Sequence, residues 1–400
     1  MKVPFSPPDI TEAEIKEVSE ALRSGWITTG PRTKKLENEV REMTGAAGAA
    51  CLNSATACEE LALRLFEIGP GDEVIVPAYT YTSTASCVAH VGATIRMVDI
   101  EEDSYEINYD QLEAAINEHT KAVVPVDLGG VMCDYDRIRE IVERKKSLFK
   151  PASRYQEALG RVLILSDAAH AFGAKRRLQE GWVHAGAAAD FTSFSFHAVK
   201  NFTTAEGGAL TWKEIPGISN EEIYKQLMLF SLHGQSKDAL AKTQLGAWEY
   251  DIVGTWYKCN MTDVVAAIGL VQMERYPEML KRRQELIRRY TEGIACDEVE
   301  VITHFTEDNI SSGHLMLVRI PSYSEEDRNT LIRKMAEADI ATNVHYKPLP
   351  MHTAYKNLGF KIEDYPNAYA RFACEITLPL HTLLTDEMQD YVIEQFNALR

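Results

Sequence analysis

Cysteine is scarce in this chain: seven in 400 residues, an odd number, standing singly at positions 51, 58, 87, 133, 259, 296 and 374. No Cys-x-x-Cys pair occurs, so neither a disulfide framework nor a cysteine zinc site is expected, and a reducing cytoplasm suits the pattern. Long hydrophobic runs are missing as well. No stretch approaches the roughly 18 apolar residues of a membrane-spanning helix, and the N-terminus lacks the charged-then-apolar order of a secretion signal. Positive charge is short, with 42 Lys and Arg against 59 Asp and Glu and a formal net charge of −17. Such a chain repels a phosphate backbone except at a strongly basic patch, and none is visible, which excludes nucleic-acid binding as its main task. Internal repeats and low-complexity linkers are also absent.

What is present suits a substantial core: 45% of the residues are hydrophobic, enough for one large and one smaller domain. Thr11-x-x-Glu14 is a capping box that opens a helix carrying Ile15, Val18 and Leu22 on one face, with Gly25 just past its end. Short apolar strands near Val74, Ile95, Val123, Val162 and Ala209 alternate with helical patterns. That alternation predicts an α/β fold with a mainly parallel sheet. Ala266 through Ile287 reads as a long amphipathic helix leading to the smaller domain.

Several polar groups are expected at the carboxyl ends of these strands, where an open parallel sheet forms its ligand crevice. The run Val162-Leu163-Ile164-Leu165 leads into Ser166-Asp167. Asp167 is thereby placed to meet a cofactor, although a helix N-cap after the strand would use the same residue. Lys200 closes the run Ser195-Phe196-His197-Ala198-Val199-Lys200, just before a glycine pair at 207 and 208. An amine between an apolar stretch and that turn is a candidate Schiff-base lysine, since desolvation favours its neutral, nucleophilic form. Pyridoxal phosphate requires this pairing: an amine for its aldehyde, and an anion that keeps its pyridine nitrogen protonated. Asn53-Ser54-Ala55-Thr56-Ala57 opens a helical pattern with Leu61, Leu65 and Ile68. Its amides, dipole and the Ser54 and Thr56 hydroxyls make a phosphate site, and an ordinary N-cap would look alike. Ser195 lies within reach of the same phosphate. Tyr81, in Pro77-Ala78-Tyr79-Thr80-Tyr81-Thr82, follows another strand and can stack on the pyridine ring.

The order and wording of these segments resemble the DegT/DnrJ/StrS family of pyridoxal-phosphate-dependent sugar aminotransferases. The resemblance runs nearly the whole chain. Besides the segments above it takes in Gly25-Trp26-Ile27-Thr28-Thr29-Gly30-Pro31, Asn260-Met261-Thr262-Asp263, His345-Tyr346-Lys347-Pro348-Leu349 and Leu378-Pro379-Leu380-His381. Within the family it is nearest to enzymes that aminate the C4 keto group of a nucleotide-linked sugar, the 4-amino-4-deoxy-L-arabinose type included. The resemblance implies fold type I, aspartate aminotransferase-like, with a pyridoxal-phosphate-binding large domain over residues 1–250 and a smaller α+β domain over 251–400. It implies Lys200 as the cofactor lysine and proton shuttle and Asp167 at the pyridine nitrogen. Thr56, the Ala57 amide and Ser195 would hold the phosphate, Tyr81 would stack, and His170 would sit near the ring oxygen.

In this family a neighbouring subunit completes the phosphate site, which implies a homodimer. The asparagine expected there is replaced by Lys258, and a cation suits a phosphate dianion. Asp127 stands where many relatives carry histidine, and together with His345 and Tyr346 it is a candidate substrate contact. Lys145 to Gly160 reads either as a solvated surface excursion or as a basic stretch for a nucleotide diphosphate. Gly234-Gln235-Ser236-Lys237-Asp238 resembles a polar loop of C4-sugar relatives. The expected activity is transfer of an amino group from L-glutamate to the keto group of a nucleotide sugar, for cell-surface polysaccharide or related amino-sugar synthesis in the cytoplasm. A sugar dehydratase on the same fold, which lacks such a lysine, a non-catalytic sensor and an amino-acid aminotransferase are the competing readings.

Overall fold

The computed structural model describes residues 1–236, 249–294 and 296–400. Of the polar loop 234–238, Lys237 and Asp238 lie outside the described residues. The strands, in chain order, are β1 (Gly48–Leu52), β2 (Glu73–Pro77), β3 (Thr94–Val98), β4 (Thr120–Val123), β5 (Leu163–Asp167), β6 (Lys175–Leu178), β7 (Gly181–His184), β8 (Phe191–Ser195), β9 (Gly208–Trp212), β10 (Glu300–Val301), β11 (Asn309–Ile310), β12 (Met316–Arg319) and β13 (Glu375–Leu378). Seven of them form the central sheet in the order β1-β9-β8-β5-β4-β2-β3. The β3-β2-β4-β5-β8 portion is parallel, and β9 runs antiparallel to both β8 and β1.

Strand alternation divides the core between the two faces of this sheet. Leu52, Val74, Val76, Leu163, Leu165 and Leu210 pack to one side with the helix Ala55–Leu65 and the helix Asn220–Ser231. Cys51, Ile75, Val123, Ile164 and Ala209 face the other, against Leu36 and Val40 of the helix Pro31–Thr44 and Ile138 and Ile141 of the helix Tyr135–Arg144. Both faces are therefore covered, which is why β2 and β5 read as nearly continuous apolar runs.

The helix Asp263–Ile294 belongs to two cores. Its Ala266 and Leu270 join the large sheet, whereas Leu286, Tyr290 and Ile294 pack with Met316, Val318, Ile376, Leu378, Val392 and Phe396. Around that second core stand the antiparallel sheet β10-β12-β13 and the helices Glu325–Glu337 and Asp386–Leu399. Val3 packs there too. A further small sheet has the order β11-β6-β7.

Two of the quoted motifs meet as structure. The Asp263 carboxylate accepts from the amides of Gly30 (2.8 Å), Arg32 (3.0 Å) and Thr33 (2.9 Å), so it caps the helix Pro31–Thr44 from far along the chain. The capping box at Thr11 is present, and Gly25 ends the helix Glu12–Ser24 at φ 78°. Its apolar face departs from expectation, because Ile15 and Leu22 are exposed while Glu14 and Ala21 are buried. Polar contacts override the apolar stripe: Glu14 accepts from Gln272 Nε2 at 2.7 Å and from Arg275 at 2.5 Å on the long helix. The stretch 145–160 is only partly a surface excursion: Lys146 pairs with Glu143, Lys150 with Glu118 and Arg154 with Glu222 on the outside, whereas Phe149 and Tyr155 are buried in the two cores of the large sheet.

Candidate active site

The carboxyl ends of β1, β2, β5 and β8 open into a cavity of about 360 Å³. Ser54, Thr56, Tyr81, Asp167, His170, Ser195, Lys200, His345 and Tyr346 all line it. Parallel crossovers return the strand ends that carry Ser54 to Lys200 to one edge of the sheet, and His345 and Tyr346 close the wall from the second core.

Lys200 follows β8 by a tight turn in which its amide donates to the His197 carbonyl at 2.9 Å. Burial pushes its ammonium down to about 8, against the pull of the Asp167 carboxylate. Asp167, the last residue of β5, is 4% exposed. It accepts from Thr84 Oγ1 at 2.6 Å and from the Ala169 amide at 3.2 Å, so it makes a cap-like bond and still borders the cavity. Burial raises its carboxyl, while Thr84, Ala169 and Lys200 act in the opposite direction.

His170 is held neutral by burial, with Lys200 adding to the effect. The Gly129 amide donates to its Nδ1 at 3.3 Å, which leaves the ring proton on Nε2, 3.0 Å from Tyr346 Oη. Tyr81 stands at the mouth, 60% exposed, with its ring centroid 5.9 Å from that of Tyr346. His345 is positioned by Glu375, which accepts from its amide at 3.0 Å, and by Thr377 Oγ1, 2.9 Å from its Nδ1. Burial lowers the His345 imidazole to about 3, so it too is neutral at physiological pH.

At the opposite end, Ser54 caps the helix Ala55–Leu65, and its Oγ accepts from the Ala57 amide at 3.1 Å. The Ala57 amide, expected at the phosphate, is bonded to Ser54 Oγ, and Ala57 is not among the residues that line the cavity. Thr56 Oγ1 lies 2.8 Å from Ser83 Oγ. Asp127 needs a correction also. It is fully buried, absent from the cavity wall, and its carboxyl group accepts from the Cys133 amide (2.9 Å), Tyr135 Oη (2.9 Å) and Ser166 Oγ (3.1 Å). It braces the turn after β4 and touches nothing that enters the site. Lys258 is exposed, bonds to Asn260 Oδ1, and lies outside the cavity of its own chain.

Ser83, Thr84 and Glu59 went unread in the sequence, although they stand around Asp167 and Thr56. Ser83 and Thr84 continue the Pro77–Thr82 segment into the next helix, and that continuity was the available signal. Glu59 carried one as well: an acid among the buried positions Ala55, Cys58, Ala62 and Leu65 of its helix. A larger open groove of about 1110 Å³ runs between residues 101–106 and Arg371, and it contains neither Lys200 nor Asp167.

The cavity fits pyridoxal phosphate by its donor set: a depressed lysine amine, a buried carboxylate, an exposed aromatic face, and hydroxyls beside a helix N-terminus. Among the described residues no cluster of His, Cys, Asp and Glu could hold a metal, and no helix is long and apolar enough to cross a membrane.

Comparison with known proteins agrees with this arrangement. The family model described as the DegT/DnrJ/EryC1/StrS aminotransferase family matches residues 8–397. The chain belongs to that family. The spore coat polysaccharide biosynthesis protein SpsC of Bacillus subtilis is 38% identical over 400 residues, covering 98% of this chain and 95% of its own. Spr1654 of Streptococcus pneumoniae, named as a sugar aminotransferase and solved in its PMP form, is 57% identical with a TM-score of 0.96, covering 100% of this chain and 99% of its own. Its PLP form is 55% identical with a TM-score of 0.95, covering 100% and 98%. The aminotransferase family therefore spans both cores of this protein, and its α/β architecture is that of fold type I.

Proposed function

The protein is a pyridoxal-phosphate-dependent aminotransferase of the sugar aminotransferase family, and we propose that it moves an amino group from L-glutamate to the C4 keto group of a nucleotide-linked sugar. The observation that carries the reading is the meeting of Lys200 and Asp167 in one cavity at the ends of β8 and β5. The bound cofactor supplies an electron sink that makes a proton removable from the carbon bearing the amine.

The chain's own groups do the rest. Lys200 Nζ, with its depressed basicity, takes that proton from one carbon and returns it to another. Asp167 places a negative charge at the pyridine nitrogen, held in orientation by Thr84 and Ala169. With the cofactor bound, the His170 Nε2 proton, which here faces Tyr346 Oη, would be the donor available to the ring oxygen, and Tyr81 would cover one ring face. Ser54, Thr56 and Ser195 take the phosphate at the helix N-terminus. His345 and Tyr346, brought from the second core, border the space left for the sugar. Glutamate leaves as 2-oxoglutarate before the keto-sugar enters, and the nitrogen is conserved across the two half-reactions.

The proposal includes a homodimer whose partner subunit contributes Lys258 to the phosphate, a division of the chain into residues 1–250 and 251–400, and a cytoplasmic role in polysaccharide or amino-sugar synthesis. The name of the spore coat relative supports that setting. Lys200 weighs against the dehydratase reading.

The test is the visible absorption of the protein mixed with pyridoxal phosphate, followed through glutamate and then a panel of nucleotide 4-keto-sugars. Wild type is expected to lose its band with glutamate, release 2-oxoglutarate, and regain the band with the true acceptor. Lys200→Ala is expected to lose the lysine-dependent band and at least about a thousandfold in turnover. Near wild-type turnover in that variant would overturn the assignment.

A further inference from the structure

Glu59 lies on the inner side of the helix Ala55–Leu65 and is completely buried. Its Oε2 accepts from Ser83 Oγ at 2.9 Å, and Ser83 Oγ in turn touches Thr56 Oγ1 at the phosphate end of the cavity. Its second oxygen, Oε1, has no hydrogen-bond donor among the described residues. The groups nearest this carboxyl are Ser83, the Cys87 thiol and the carboxyl of Asp167, and among the described residues no cation pairs with it. Cys87 directs its weak donor to the Thr84 carbonyl at 3.4 Å. Ser83 and Thr84, adjacent in the chain, bond to Glu59 and to Asp167 respectively, which sets the two carboxyl groups side by side.

Two carboxyl groups in contact inside a protein cannot both carry charge without a cation between them. One proton must be shared out. Asp167 has two donors of its own and Lys200 beyond it, and it faces the cavity; Glu59 has neither cation nor solvent. The proton therefore belongs to Glu59. Since Oε2 already accepts from Ser83, the place for that proton is the otherwise orphaned Oε1.

We propose that Glu59 is a permanently neutral acid that donates from Oε1 to the Asp167 carboxylate, a positioning residue that ties the pyridine-nitrogen end of the cofactor site to its phosphate end through Ser83 and Thr56. The inference rests on reading Asp167 as the partner of the pyridine nitrogen. It deepens that reading: the anion that faces the cofactor is itself oriented by a buried donor, and the two ends of the cradle move as one unit.

Glu59→Gln and Glu59→Leu separate the possibilities. An amide keeps both bonds, donating to Asp167 and accepting from Ser83, whereas leucine keeps neither. Glu59→Gln is expected to stay within about threefold of wild type in pyridoxal phosphate affinity and in glutamate half-reaction rate, while Glu59→Leu loses about tenfold or more in both. The independent readout is infrared absorption of the cofactor-free protein at neutral pH. A buried protonated-carboxyl C=O band is expected in wild type minus Glu59→Gln, and it is read even if the leucine variant fails to fold. Absence of that band overturns the proposal. So does a glutamine variant as impaired as leucine, which would mean a charged Glu59, or a folded leucine variant equal to wild type, which would mean no role. Failure of the underlying reading looks different, since wild type itself would then acquire no visible band with pyridoxal phosphate.

Discussion

Asp127 illustrates how a single buried carboxyl can be mistaken for a site group. Its position after β4 is at the right edge of the sheet, but its oxygens turn inward to Cys133, Tyr135 and Ser166. Burial raises it from the ordinary 3.8 to about 7. Folded Asp127 thus keeps its proton up to about 7, whereas the unfolded chain releases it near 3.8. Its stabilising contribution is full below the lower value and is lost as pH rises through the upper one. Urea unfolding of Asp127→Asn should show less loss of stability between pH 5 and pH 8 than wild type. Asp127→Ala, which leaves the Cys133 amide and two hydroxyls without their acceptor, should cost about 1–3 kcal/mol with the KM for the sugar unchanged. A raised KM at unchanged stability would restore the substrate-contact role.

Among the elements, the contact between β9 and the helix Ala55–Leu65 governs the phosphate end. A Cβ placed on Gly208 would lie 2.5 Å from the Ser54 carbonyl carbon and 2.6 Å from the Ala55 nitrogen. Those atoms are backbone, so nothing flexible can yield, and Gly208→Ala must push the helix N-terminus away from the cavity. The expected result is a lower melting temperature and weaker pyridoxal phosphate binding, measured by calorimetry and by titration of the visible band; an unchanged affinity would show that the cradle tolerates the shift. The same strand explains what the sequence pattern left out. β1 is built from small residues, Gly48-Ala49-Ala50-Cys51-Leu52, and β8 from Phe191-Thr192-Ser193-Phe194-Ser195, so neither displays a strong apolar run. β1 is a strand because β9 pairs with it, and β8 because β9 and β5 flank it.

At the scale of the whole molecule, the proposed dimer gives Lys258 a function that its own chain does not. Lys200→Ala and Lys258→Ala subunits, each inactive or weak alone, should regain activity when mixed and reassociated. One of the two sites in the mixed dimer then combines Lys200 of one subunit with the partner's lysine at 258. Recovery to about a quarter of the wild-type rate is expected if half the dimers are mixed and each carries one intact site. No recovery would place Lys258 outside the phosphate site.

The chemistry of the site was legible without coordinates. Lys200, Asp167, Thr56 and Ser195 stand in local contexts, a strand end, a tight turn or a helix start, that the neighbouring residues specify by themselves. The coordinates were needed for whatever depends on which face a group turns to and what already satisfies it. Asp127 turned out to belong to an internal network and the apolar face of the first helix gave way to the Glu14–Arg275 contact, while Glu59 was gained from a helix that reads as ordinary core. In each case the deciding partner lies on another element or hidden within a turn, and a hydrogen bond or buried charge at that contact outweighs the local pattern.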